Sequence, residues 1–334
     1  MNSLVTRHAL RTLHIAATIL LCWQLGACSN KPKQPEWLDD PHVNYPEQRY
    51  LSAVGEARSR ETASQRALAN IARTFSVTIA ETSLDVAEAR VTISQDEAAV
   101  ENIQQASRSI TAEVQQVLEG ARVSEHWQDA NGAYFALAVL EKAPAAQRFS
   151  RSVREADAQT VDRVNYARSQ APNPVAALSA LEQARLLQLQ RNETNRNLSV
   201  VSKRGIDSPH SVGDIDRMIR KGLATLAFAA DAESISLEDS LKAAIAQLGI
   251  RYDAAAPYTL QGIFDTVPVY EKQGWYWLHG SVHLRLLHKG EPIANKRWPV
   301  KLSGTDPGLV TQRAQDLLSE QLHNYLYAML TSSP

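Results

Sequence analysis

Thiols are nearly missing from this chain. It holds two cysteines in 334 residues, Cys22 and Cys28, and none follows residue 28. The body therefore has no disulfide framework, no cysteine nucleophile and no thiolate metal site. Charge of one sign is lacking too, since 35 Lys and Arg meet 36 Asp and Glu for a formal net charge of -1. Without a basic tail or a dense Lys/Arg stripe there is no phosphate footprint, which argues against a nucleic-acid partner. The nucleophile elbow G-x-S-x-G, the P-loop and G-x-G-x-x-G are all absent. Asp39-Asp40 and Glu238-Asp239 read as solvated charges of a tether and a helix start. No catalytic residue and no cofactor is implied, and the expectation is a chain that is not an enzyme. The apolar run Leu13 to Leu25 is too short and wrongly flanked for a durable span. What remains is 44% hydrophobic, ample for the cores of about two domains at this length.

What is present begins with an address. Arg7 and Arg11 precede the apolar run, and small residues Gly26 and Ala27 precede Cys28, the pattern of a secretory signal peptide over residues 1–27. Leu25-Gly26-Ala27-Cys28 resembles the bacterial lipobox, which implies that Cys28 becomes diacylated, N-terminal and N-acylated; the plainer reading is a secreted protein with a chance cysteine. Several acyl chains make anchoring effectively stable. In such lipoproteins an aspartate after the cysteine favours the inner membrane. Here Ser29 occupies that place, so the expectation is a lipid-anchored protein on the periplasmic side of the outer membrane. Residues 28–36 form a tether with Pro32 and Pro35, spanning about 30 Å at most at ~3.1 Å per residue. Lys31 and Lys33 either touch headgroups or are simply solvated.

The first domain is expected over residues 37–143. Arg49 to Ala57 reads as a strand, Ser59 as an N-cap with Glu61 in the first turn, and residues 60–73 as a helix stacking Ala63, Ala67, Leu68, Ile71 and Ala72. Phe75, Val77 and Ile79 alternate with smaller residues and predict a strand. Ser94 to Glu97 is a capping box for a long helix with Ile103, Ile110, Val114 and Val117 on one face and Gly120 at its end. Arg122 to Gln128 and Ala133 to Glu141 flank Asn131-Gly132, a strong hairpin signal, and AYFALAVLE is apolar on both faces and so central. The order is β-α-β-α-β-β in an α+β protein.

Trp37, YLSAVGEA, ETASQRALANIARTF, FSVTIAE and ARVSEHWQDANGAYFALAVLEK together resemble the LPP-twenty family of bacterial lipoproteins over about residues 36 to 143. These are packing motifs. The resemblance implies an envelope-associated, non-enzymatic assembly role, since relatives include flagellar basal-body ring and disc components. It carries over no catalytic residue. Envelope proteins or further copies of the chain are the partners it implies.

Residues 144–191 predict an αα-hairpin broken at Pro172-Asn173-Pro174, with Phe149, Val153, Val161 and Val164 on one arm and Leu178, Leu181, Leu186, Leu187 and Leu189 on the other. It is either a spacer or docking element or packs on itself and its neighbour. Residues 192–213 are polar with Gly205, Pro209 and Gly213 and read as a linker. Residues 214–334 predict α-α-β-β-β-α: helices beginning near Asp214 and Ser236, strands near 258–267, 274–288 and 292–303, and a helix near 309–330.

One strand carries suggestive chemistry. In QGWYWLHGSVHLRLLH the even positions Tyr276, Leu278, Val282, Leu284 and Leu286 make an apolar face, while Trp275, Trp277, His279, Ser281, His283 and Arg285 share the other. That second face is either a surface for a partner, suited to stacking on sugars or peptides, or covered by another element. His279 and His283 lie ~13 Å apart on a strand, so no shared metal is expected. Two functions remain: a scaffold or assembly factor in the envelope, or a periplasmic binding module that recognises peptidoglycan or regulates cell-wall synthesis through Trp275 and Trp277.

Overall fold

A computed structural model describes residues 33–90 and 118–332. The leader, the lipobox with Cys28, Lys31, the capping box at Ser94 and the helical face from Ile103 to Val117 lie outside the described residues. Among the described residues no helix is long and apolar enough to cross a membrane. The chain divides into two compact units, one of residues up to Arg73 with Gly120–Glu141, the other of the remaining residues.

In the N-terminal unit, Trp37 sits in a 3₁₀ turn, Glu36–Leu38. Strand β1 is Tyr50–Ala57, helix α1 is Arg60–Arg90, of which the residues to Arg73 belong to this unit, β2 is Arg122–Gln128 and β3 is Tyr134–Glu141. The sheet order is β1-β3-β2, all antiparallel, so the strand apolar on both faces is indeed central. Gly55 pairs with Ala136, and a Cβ built on Gly55 would lie 2.3 Å from both the Ala63 carbonyl oxygen and the Ala67 nitrogen. Helix backbone therefore rests almost directly on strand backbone, which only small residues allow. On the opposite face Trp37, 3% exposed, packs on Leu137 and Val139. The free edge of β1 is closed from the side: Asn70 Nδ2 donates to the Val54 carbonyl at 2.8 Å and Arg66 to that of Glu56 at 2.7 Å.

The alternation at Phe75, Val77 and Ile79 does not produce a strand. Ala63, Ala67, Ile71 and Phe75 are buried at every fourth residue along one uninterrupted helix, and helical period prevails because nothing breaks the chain after Arg73. The described order of this unit is β-α-β-β. Gly120, with φ 84°, stands just before β2.

The larger unit is built on helices α2 (Lys142–Ser169) and α3 (Pro174–Ser202), with Asn173 accepting from the Ala176 N–H and Pro174 opening α3 as expected. Helix α3 runs on through residues 192–202, which the polar composition marks as linker. Buried polar contacts explain this. Arg191, 3% exposed, donates through Nε to Asp157 Oδ1 at 3.1 Å and through Nη2 to Oδ2 at 3.2 Å, and also to the Ile206 carbonyl at 2.6 Å. Gln188 Nε2 donates to the same carboxylate at 3.1 Å, and the Ser208 hydroxyl lies 3.1 Å from Asp157 Oδ1 and 2.8 Å from Gln188 Oε1, with one proton to give to either. Residues 203–211 are thus fastened to both arms of the hairpin.

Next come α4 (Val212–Ala224), β4 (Ala227–Ala232), α5 (Ile235–Gln247), β5 (Arg251–Tyr252), β6 (Tyr258–Thr266), β7 (Tyr270–Lys272), β8 (Trp275–His288), β9 (Glu291–Gly304) and α6 (Pro307–Thr331). Strands β4, β5 and β7 enlarge the expected three-stranded sheet to six, ordered β5-β4-β6-β8-β7 with β9 on β8. Because β4 and β6 are parallel, α5 is a crossover rather than a simple second helix. Leu178, Leu181, Ile215, Leu241, Leu260, Leu284 and Leu326 share one core, so hairpin and sheet are one body where the sequence divides them. Strand β9 pairs only with β8 among the described residues, and it carries Pro292 and Pro299.

Candidate binding face

The register of the C-terminal sheet sets what its two faces present. Tyr258, Leu260, Gly262 and Phe264 of β6 oppose His288, Leu286, Leu284 and Val282 of β8, which in turn oppose Glu291, Ala294, Lys296 and Trp298 of β9. This face meets the helices: a Cβ on Gly262 would lie 2.8 Å from Leu241 of α5, and Trp298 stacks on Tyr325 of α6 at 4.6 Å. The alternate residues stand on the other face. Ile263, His283 and Arg297 form one row; Asp265, Ser281 and Pro299 the next; His279 opposes Lys301, and Tyr270, Trp277 and Ser303 follow, with Lys272 beside Trp275.

All five partner-binding candidates, Trp275, Trp277, His279, His283 and Arg285, stand on this face. Trp275 is 48% exposed and Arg285 is exposed, while Trp277, His279 and His283 are half-buried. Their neighbours on the face account for that partial cover. Lys301 Nζ lies 5.4 Å from the Trp277 ring centroid, and Tyr270 meets His279 edge-on at 5.6 Å with its hydroxyl 3.3 Å from Nδ1. Trp277 Nε1 and His279 Nε2 are shielded from solvent with no hydrogen-bond partner. Arg297 Nε donates to Ser281 Oγ at 2.6 Å, and its Nη2 lies 3.0 Å from Asp265 Oδ2. Between these groups runs an open groove of about 500 Å³ lined by Asp265, Val267, His279, Ser281, Arg297 and Pro299. Its floor needs Gly280, where a Cβ would fall 2.4 Å from the Asp265 carbonyl oxygen.

His283 is held below the usual imidazole pKa, first by burial and then by the guanidinium groups of Arg285 and Arg297. Arg285 Nε donates toward His283 Nε2 at 3.4 Å, so that nitrogen is an acceptor and the ring is neutral. The face thus offers fixed positive charge from Arg285, Arg297 and Lys301, one carboxylate in Asp265, and aromatic edges. It suits an anion-bearing or polar partner. No group of three His, Cys, Asp or Glu fit to hold a metal occurs among the described residues.

Tyr270, Lys301, Arg297 and Asp265 were not legible as site residues, because they reach the face only through strand pairing. In the N-terminal unit, a serine and a histidine lie in contact but are wrongly protonated for nucleophilic work. Arg60 Nη2, a pure donor, lies 3.3 Å from His126 Nδ1, so the proton sits on Nε2 and is directed at Ser64 Oγ, 2.8 Å away. Ser64 in turn donates to the Arg60 carbonyl at 2.9 Å. Burial, then Arg60, lowers the His126 pKa.

Residues 35–141 match the model of the LPP20 lipoprotein family, the stretch in which the resemblance lies. The match supports an envelope lipoprotein. No curated protein matches the chain. Among solved structures, a secreted protein of Helicobacter pylori aligns at 12% identity and TM-score 0.42 over 84% of this chain and 96% of its own. The minor lipoprotein of Acinetobacter baumannii aligns at 15% identity and TM-score 0.26 over 30% and 92%. The rare lipoprotein B of Shewanella oneidensis aligns at 12% identity and TM-score 0.20 over 31% and 89%. At these scores the likenesses carry no argument about this chain.

Proposed function

We propose that the protein is an outer-membrane lipoprotein, anchored through Cys28 and facing the periplasm, that acts as a non-enzymatic scaffold or assembly factor by holding an envelope protein on the open face of its C-terminal sheet. The observation that supports this is the two-sidedness of β8, whose even positions are sealed under α5 and α6 while the odd positions keep a groove with shielded, unpartnered Trp277 Nε1 and His279 Nε2. Buried polar groups cost free energy until they are bonded, so a partner that displaces the side chains covering the Trp277 N–H donor and the His279 ring nitrogen gains hydrogen bonds there. The LPP20 match of the N-terminal unit is consistent with a role at the envelope, and a flagellar ring is one assembly of that kind. Peptidoglycan is the rival occupant of the same face.

The test is in-cell photocrosslinking from position 295, which opposes Arg285 at the groove's margin. A discrete protein adduct that disappears in Trp277→Ala, Arg297→Ala supports the scaffold. Adducts to sacculi, or an adduct indifferent to both substitutions, overturn it. Metabolic labelling with a fatty-acid analogue should mark the parent chain and not its Cys28→Ser variant; an unlabelled parent would sink the anchor.

A further inference from the structure

The tip of the β7–β8 hairpin is not explained by a groove that receives a partner. Val267 is 50%, Tyr270 38% and Trp275 48% exposed, three large apolar side chains within one short stretch. Register brings them together: Tyr270 opposes Trp277 and Lys272 opposes Trp275, so Tyr270 and Trp275 are diagonal neighbours on one face, and Val267 bonds through its N–H to the His279 carbonyl beside them. The turn that joins the strands, Gln273-Gly274, has φ of 55° and 76°, the left-handed pair of a tight two-residue hairpin. Trp275 lies past the last pair of β8 with β9, Tyr276 with Gly304. The patch therefore projects from the end of the sheet, whereas sites for sugars and small ligands are concave. Nor is Trp277 a free stacking platform, because the Lys301 ammonium already lies over its ring. Exposed Lys272 and Lys301 flank the aromatics.

We infer that this hairpin tip is a second, non-covalent contact with a bilayer surface carrying anionic headgroups. Trp and Tyr have apolar bodies and polar edges and favour the interfacial layer, and lysines beside them meet anionic phosphates; Tyr270, Lys272 and Trp275 stand in the projecting hairpin, with Lys301 on the adjacent β9. The inference uses the envelope reading only for the presence of a bilayer. It makes no use of a protein partner, although Val267 also lines the groove and Tyr270 and Lys301 stand on the same face.

The probe is the chain from residue 28 with Cys28→Ser, so that no acyl chain contributes, mixed with vesicles of phosphatidylethanolamine and phosphatidylglycerol or of phosphatidylcholine alone. The expected result is sedimentation with the anionic vesicles, and quenching of tryptophan emission by lipids brominated near the headgroup that is lost in Trp275→Phe. Tyr270→Ala with Trp275→Ala should lower partitioning about tenfold or more. Lys272→Glu and Lys301→Glu should each lower it about fivefold, and added salt should mimic them. These side chains are exposed, so an unchanged thermal melt will separate lost binding from lost folding. Failure of the parent chain to bind, binding that the four substitutions leave intact, or binding to isolated sacculi in place of vesicles overturns the inference. Crosslinking of a protein partner at the groove stands or falls separately.

Discussion

Replacing Arg191 by alanine should be the most damaging single change in the larger unit. Its guanidinium is bonded twice to Asp157 and once to the Ile206 carbonyl, and its side chain is 3% exposed against 12% for that of Asp157. Asp157 keeps the Gln188 amide donor without it, and the Ser208 hydroxyl when its one proton turns that way, but neither carries charge. A buried carboxylate deprived of its cation costs about 3–5 kcal/mol. For a unit of this size each kcal/mol moves the melting temperature by roughly 2–4 °C, so the fall should be about 6–20 °C. Thermal and urea unfolding of the acyl-free chain measure it. Amide exchange adds the location: protection should drop first in residues 203–211, which the network ties down. A double variant, Arg191→Met with Asp157→Leu, should recover part of the loss, because two unpaired neighbours such as the Ile206 carbonyl are cheaper than a stranded charge. A single variant within about 1 kcal/mol of the parent, or a double variant worse than the single, would refute the reasoning.

Two further outcomes follow from the same style of argument. Gly55→Ala puts a methyl 2.3 Å from helix backbone that no rotamer can move, so it should destabilise the N-terminal unit by about 1–3 kcal/mol or more in urea melts, beyond the roughly 0.5–1 kcal/mol expected of Ala53→Gly in the same strand. His283, depressed below 6.5 in the fold, binds fewer protons folded than unfolded, so stability should be lost as pH falls through and below 6.5; His283→Asn should flatten that part of the pH profile, and an unchanged slope would deny the effect of burial and of Arg285 and Arg297.

Much of the architecture was legible where local chemistry is decisive. Asn173-Pro174 opens a helix, Lys289-Gly290 turns a hairpin with both φ positive, and AYFALAVLE lies in mid-sheet. Strand β4 was not, because AFAADA has no β-branched residue and continues an alanine-rich helical pattern; pairing with β6 overrides that propensity. The site was half legible for a specific reason. Counting back from Lys289-Gly290 pairs His288 with Glu291 and would set Ser281 against Trp298, but a bulge at Leu286/Leu287 adds one residue to β9 and sets it against Pro299. One extra residue moves Trp298 into the core and brings Arg297 and Lys301 to the groove. Alternation along β8 names its own odd face, and no pattern within β8 announces a bulge in its partner.

The prolines of β9 bear on crowding. A protein confined to a membrane plane meets its own copies far more often than the same protein in solution, and the outer edge of a strand fourteen residues long, bonded on its other side to β8, is a template for edge-to-edge aggregation. Pro292 and Pro299 cannot donate, and Lys296, Arg297 and Lys301 repel an identical strand, while β1 is closed by Asn70 and Arg66. The edges of β1 and β9 are thereby denied the cheapest route to sticking together, and ordered contact between copies along them is left to side chains, where geometry can discriminate.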